Sequence, residues 1–432
     1  MSSLTKKQSE ADGQSSQLKV PQELINLIID FHQGDIRTLR TCALIGQGFR
    51  ARAQELIFGR VRLGPATGKY VTGKLRTILD GSPHLALYIT TLSVEDYMLL
   101  TGGSHWTASF AIILPQMTNL RNLALQSDGS VEWENWSRAV KFAFQKIMTH
   151  GKLSSLTLKN VKGFPVDLIV TSTLVELELD LSDLKRVASN ICEPETPTES
   201  EVARLRSLNI KYSPQVGSSF KGLADLISFI LDPYNGFNFS SLQTLTLRFH
   251  YGQAHIATLA LDAQAIRRLL QAASPHLRDV TILPTFYDMA GGAAEEQTIL
   301  SANVSLGRLP KLQKLNIQFR TLDNYSTRGR LPYLWGSQML TNIGADDLPD
   351  LSIINITCTF PGSNPIKEFN LGFWQGLDGI LNAPPLLSVE SVNVAFSFQW
   401  FQPKDFHPMI DLIRGGLRRL SERGALHVTG SR

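Results

Sequence analysis

The sequence predicts an α/β chain, with a small helical module at the start and then a long array of strand–loop–helix units stacked as a solenoid. Two observations carry this. The pattern L-x-x-L-x-L, with Ile or Val allowed, recurs ten times, starting at Ile89, Leu120, Leu153, Leu174, Leu205, Leu242, Leu277, Leu312, Leu351 and Val389. From residue 89 to residue 389 its nine intervals average about 33 residues, a period at which each unit can bury its apolar side only against its neighbours. One such hexapeptide is weak evidence because leucine is common, but ten at quasi-regular spacing make a repeat. The second observation is helical period in the stretches between. Trp133, Trp136, Val140, Phe144 and Ile147 fall on one helical face, as do Phe220, Leu223, Leu226, Ile227 and Ile230. Ile266, Leu269 and Leu270 follow, and then Met409, Leu412, Ile413, Gly416, Leu417 and Leu420.

Taken in order, residues 1–18 are rich in Ser, Gln and Lys, and are expected to be a disordered tail. Residues 19–63 form the helical module. Pro21 stands where a helix opens, because its missing N–H costs nothing there, and Leu24, Leu27, Ile28 and Phe31 follow at helical spacing. Asp35 is placed to cap a second helix through Ile45, and a third amphipathic run from Phe49 to Phe58 leads into the strand-like Val61-Arg62-Leu63. Residues 64–432 carry the repeats.

The module resembles a known motif. Val20-Pro21-x-Glu23-Leu24, then Leu39-x-x-Cys42-Ala43-Leu44, then Phe49 with Leu56-x-Phe58 are similar to the F-box-like motif, in the form common in basidiomycete fungi. The match covers roughly a tenth of the chain. Ile45-Gly46 stands where the family usually has Val-Cys, and Gly48-Phe49 where it usually has Ser-Trp. The resemblance implies docking on the Skp-type adaptor of a cullin-RING ubiquitin ligase. It also implies that Pro21, Glu23, Leu24, Ile28, Leu39, Ala43, Leu44 and Phe49 form or support the adaptor-binding surface. A scaffold whose module no longer reaches a ligase is the alternative that these departures leave open.

The repeats resemble the leucine-rich repeats that commonly follow an F-box. The consensus Asn or Cys, three residues after the last apolar position, is replaced by Asp128, Val161, Ser213, Thr285, Arg320 and Thr359. A continuous asparagine ladder at that place is therefore not expected. The long interval from 205 to 242 and the two after 312 point to insertions on one rim, and Cys192–Glu201, with four acids and two prolines, reads as a solvated loop. Because side chains alternate along a strand, the residues between the leucines face the opposite, concave side. Those expected to meet a target protein are Lys159, Glu176, Glu178, Asp180, Asn209, Lys211, Thr246, Arg248, Asn316 and Gln318.

Composition narrows the function. With 42 Lys+Arg against 38 Asp+Glu the net charge is +4, too little for a nucleic-acid partner, whose phosphates call for a basic excess. Three distant cysteines, Cys42, Cys192 and Cys358, offer neither a disulfide framework nor a zinc site. The start lacks an apolar signal segment, so the sequons at Asn135, Asn238, Asn303, Asn324 and Asn355 read as chance matches. The uncharged stretch from Tyr97 to Leu120 is broken by Gly102, Gly103 and Pro115, which argues against a membrane span. Gly64–Tyr70 half-resembles a phosphate loop but ends in Tyr where Ser or Thr is required. No metalloprotease, dinucleotide or nucleophile-elbow motif is present. The expectation is a cytoplasmic or nuclear binding protein with no enzymatic activity, cofactor or metal, partnered by a Skp-type adaptor and an unidentified target protein.

Overall fold

The computed structural model describes residues 20–64, 68–95, 100, 105–170, 172–186, 205–213, 220, 222–251, 258–286, 305–321, 330–344, 346–360, 371–398 and 406–431. The expected tail and the acidic stretch at 192–201 lie outside the described residues. Two compact units divide the chain, Met1–Arg60 and Val61–Arg432.

The first unit holds three helices, α1 (Gln22–Phe31), α2 (Ile36–Ile45) and α3 (Gln47–Phe58). The Pro21 carbonyl receives the amides of Leu24 and Ile25, which opens α1. Asp35 caps α2 as expected, accepting the amides of Arg37 at 3.0 Å and Thr38 at 3.1 Å. Gly46, extended at φ 178°, separates α2 from α3. The core is small: Ile29, Leu39, Cys42 and Ala53, with Ile25, Ala43, Phe49, Leu56 and Ile57 packed against it. Arg52 of α3 bonds Asp30 of α1 at 2.6 Å and Glu55 at 2.7 Å, tying two helices across that core.

The second unit is α/β and solenoid-like. Among the described residues its sheet has twelve strands in the order β1 (Arg60–Leu63), β2 (Thr91–Val94), β3 (Asn122–Glu132), β4 (Ser155–Lys162), β6 (Glu176–Asp180), β8 (Ser207–Tyr212), β9 (Thr244–Tyr251), β10 (Asp279–Phe286), β11 (Lys314–Thr321), β12 (Ile353–Phe360), β13 (Ser391–Phe398) and β14 (Leu426–Ser431). A separate pair joins β5 (Phe164–Pro165) to β7 (Leu184–Lys185). The segment Val61-Arg62-Leu63 is thus the sheet's first strand. From β2 to β14 every neighbouring pair is parallel and in register with the hexapeptide. Leu92, Leu123, Leu156, Leu177, Leu208, Leu245, Val280, Leu315, Ile354 and Val392 make one continuous apolar row, and each is at most 2 % exposed. A one-residue slip anywhere would turn that row outward, so burial itself enforces the register.

The row ends on Leu426 of β14, an eleventh unit beyond the ten hexapeptides. Its first apolar place is taken by Arg423, which hides it from the pattern. The helices differ in detail from their sequence period. Trp133 sits in a short turn, Trp133–Asn135, and the helix begins only at Arg138 behind the cap Ser137. Trp136 meets Phe164 and Phe144 edge-on, and all three rings are buried in the core. Leu417 breaks the last helical run between Phe406–Gly416 and Arg418–Glu422.

Two buried carboxylates bind neighbouring helices together. Asp262 accepts the amide of Ala224 at 2.7 Å, at the start of helix Leu223–Leu231, together with the hydroxyls of Tyr251 at 2.9 Å and Thr258 at 3.2 Å. Asp378 likewise receives the amides of Arg419 and Leu420 at 3.0 and 3.1 Å, capping the short helix that follows Leu417. Helix-end amides lack intrahelical partners, and each Asp supplies the acceptor from an adjacent repeat.

Candidate functional site

The first unit exposes apolar surface where a free-standing domain would hide it. On α1, Leu24, Leu27, Ile28 and Phe31 stand at i, i+3, i+4 and i+7, and they are 51, 64, 53 and 88 % exposed. The opposite side of the same helix, Ile25 and Ile29, enters the core. Beside the polar strip of Gln22, Glu23, Asn26 and Asp30, the apolar side of α1 is wider than the core covers, the pattern of a helix that has a second surface to cover. Leu44 and Ile45 at the end of α2 are exposed as well, with Ile36 at its start and Val20 before α1. Gln22 donates to the Gly48 carbonyl at 2.7 Å, which sets the first turn of α1 beside the α2–α3 junction that Leu44 and Ile45 precede.

The eight residues expected at the adaptor surface separate into two groups. Pro21, Glu23, Leu24, Ile28 and Leu44 are exposed. Leu39 belongs to the module's core, and Ala43 and Phe49 pack against it, so these three can act only by holding the helices in place. Leu27, Phe31, Ile36 and Ile45 belong to the exposed apolar set and were not among the eight. Their signal was present for two of them, since Leu27 and Phe31 complete the stripe begun by Leu24 and Ile28.

In the second unit the side of the sheet away from the buried row is open. The ten residues expected there all lie on that face, in adjacent rows. Glu178, Asn209, Thr246 and Asn316 share one row, with Thr281 between the last two. Lys159, Asp180, Lys211 and Arg248 share the next. Glu176 and Arg248 are exposed, and Gln318 is half-buried. Asp180 is a correction to the expected accessible set: it is buried, and Lys211 reaches it at 3.0 Å, so both charges are largely spent on each other. The Oδ1 of Asn209 is buried and has no hydrogen-bond partner among the described residues.

The same face carries an asparagine ladder at a place the consensus did not indicate. Asn393 Nδ2 donates to Asn355 Oδ1 at 2.8 Å, and Asn355 Nδ2 to Asn316 Oδ1 at 2.5 Å. Asn316 Nδ2 then reaches Asp279 Oδ1 and Thr281 Oγ1, each at 2.8 Å. These asparagines sit between the two last apolar places of the hexapeptide, on the open side. On the other rim Asn160, at φ 57° and buried, donates to the Ser127 carbonyl at 2.6 Å. It stands two residues after Leu158 rather than three, so the expected gap at the consensus place is filled from one position earlier in that repeat.

Burial pushes the Cys358 thiol far up, beyond use as a nucleophile near neutral pH. Burial also raises the Asp262 carboxyl, although Ala224, Tyr251 and Thr258 pull it back. Among the described residues no group of three or more His, Cys, Asp or Glu could hold a metal, and no helix is long and apolar enough to cross a membrane. Compared with known proteins, the chain matches no family model and no curated protein sequence.

Proposed function

We propose that the chain is a substrate-recognition adaptor of a Skp–cullin–F-box ubiquitin ligase, acting in the cytoplasm or nucleus. The first unit is the F-box-like module and docks on a Skp-type adaptor through α1 and the end of α2. The second unit is a leucine-rich-repeat array whose open sheet face holds the protein to be ubiquitinated. The chain itself performs no chemistry: it joins a target to a machine that does.

The observation that carries this reading is the exposed stripe Leu24, Leu27, Ile28 and Phe31, supplemented by Leu44 and Ile45. Six large apolar side chains on a module with so small a core favour a partner with an apolar groove, the helix-in-groove mode of recognition. The sequence motif that begins at Val20-Pro21 supports the choice of that partner.

The test is binding of the full chain to a purified Skp-type adaptor. Leu27→Glu with Phe31→Glu should abolish it while leaving the helical circular dichroism unchanged, and Pro21→Ala with Leu24→Ala should do the same. A wild-type chain that never binds the adaptor would leave the scaffold reading in its place.

A further inference from the structure

We propose that the open face across β12–β14 holds an extended, uncharged peptide segment by its main-chain amides; this rests on, and narrows, the reading of that face as the target-binding surface. The starting point is the direction of the asparagine ladder. Ser391 Oγ donates to Asn393 Oδ1 at 3.2 Å, and each amide nitrogen then donates toward β10, until Asn316 reaches the Asp279 carboxylate. Lys314 stands 3.6 Å from that carboxylate and balances its charge. A hydrogen-bond chain that runs one way onto an anion is polarised along its length, and its amides cannot flip without breaking it.

The chain leaves defined valences outward. Asn316 uses both its N–H groups, on Asp279 and Thr281. Asn355 and Asn393 use one each, so among the described residues each keeps one N–H without an acceptor, and each carbonyl oxygen keeps a lone pair. Adjacent strands are about 4.8 Å apart, so the two free donors sit in fixed orientation one strand spacing from each other.

The surroundings select the occupant. Among the described residues the open positions of β12 to β14 are Ile353, Asn355, Thr357 and Thr359, then Ser391, Asn393, Ala395 and Ser397, then His427 and Thr429. They offer no carboxylate or lysine, whereas β4 to β9 carry Lys159, Glu176, Glu178 and Arg248 on the same face. A charged ligand would find its countercharge on those strands and none on β12 or β13. A sugar would lack an aromatic ring to stack on among these positions. Paired donors and acceptors at regular spacing match the N–H and C=O that every peptide residue except proline presents.

A random peptide library displayed on phage, selected against the full-length chain, tests this, with recovered peptides remade synthetically and titrated by calorimetry. Essentially uncharged peptides are expected. Their affinity should fall by about tenfold or more, which is about 1.4 kcal/mol, in Asn355→Ala with Asn393→Ala. Ala395→Arg should weaken binding as much while leaving the ladder whole, which keeps the test valid if the double variant misfolds. N-methylation of the peptide main chain at single positions should reproduce the loss, a result that side-chain recognition would not give. Recovered peptides that respond only to Glu176→Lys or Arg248→Glu would overturn the proposal and leave the target-binding face standing. Indifference to every substitution on the face, or no recovered peptide, would overturn both.

Discussion

Among the described residues, eight large apolar side chains stand exposed between residues 20 and 60, and eight more between 61 and 432, where roughly seven times as many residues are described. In the second unit they are scattered: Ile78, Leu87, Ile112, Phe142, Tyr234, Leu261, Leu371 and Leu387. In the first they gather on α1 and the two ends of α2. Scattered apolar residues are ordinary on any surface, whereas a gathered set on a small module marks a place where another surface belongs. The second unit closes its apolar rows on itself; the first closes a small core around Ile29, Leu39, Cys42 and Ala53 and leaves the stripe on α1 and the ends of α2 open.

The strongest way to break this comparison is to charge the exposed stripe. Leu27→Glu with Phe31→Glu should remove adaptor binding altogether, yet lower the melting temperature little, since neither side chain is in the core. If the melting temperature collapsed instead, the stripe would be a covered core and the contrast between the units would be wrong. Truncation inside the second unit should do the opposite. Leu245, fully buried between Leu208 and Val280 in the apolar row, should cost about 2–5 kcal/mol as Leu245→Ala in a chemical-denaturation curve. Adaptor binding should be unaffected.

The legibility of the two units in the sequence differs for the same reason. All ten hexapeptides became strands in register because a period-two apolar pattern has only one way to face a helical layer. Arg423 concealed the eleventh unit, since the edge strand β14 has one neighbour and tolerates a charged lead-in. The period of α1 was legible, but which side would be buried was not. Ile25 and Ile29 compete with Leu24, Leu27, Ile28 and Phe31, and only the placement of α3, with Arg52 held on Asp30, decides between them. On the open face the ten expected positions were legible from alternation. The ladder through Asn355 and Asn393 was not, because the asparagine consensus points to a different place in the repeat. Asp262 and Asp378 were equally hidden, since nothing in a linear pattern pairs an aspartate with helix ends about forty residues away.

Those two aspartates sharpen the account of how the second unit holds its repeats together. Asp378→Ala should leave the amides of Arg419 and Leu420 without their acceptor and cost about 1–3 kcal/mol, read from the denaturation midpoint. Asp262 adds a pH dependence. Burial raises its carboxyl above the ordinary 3.8, so the folded chain holds that proton more tightly than the unfolded chain does. Its contribution to stability is full below the ordinary value and is lost as pH rises through the raised one. Asp262→Asn should flatten that slope in a melting series taken across the acid range, and an unchanged slope would mean that another group governs it.

The smallest effect belongs to the first unit and runs with the opposite sign. Asp35 caps α2 through the hydroxyl and amide of Thr38 and the amide of Arg37, and these bonds hold its carboxyl below the ordinary 3.8. Its contribution is therefore present above the ordinary carboxylate value and lost as pH falls through the lowered one. Asp35→Ala should weaken α2 modestly near neutral pH and have no effect in strong acid, where the wild-type cap is already protonated. Because α2 positions Leu44 and Ile45, the same substitution should weaken adaptor binding near neutral pH, and the deficit relative to wild type should shrink in acid. A loss of binding that stayed constant through the titration of Asp35 would show that the cap does not set the geometry of that surface. The exposed stripe on α1 would then account for docking without help from α2.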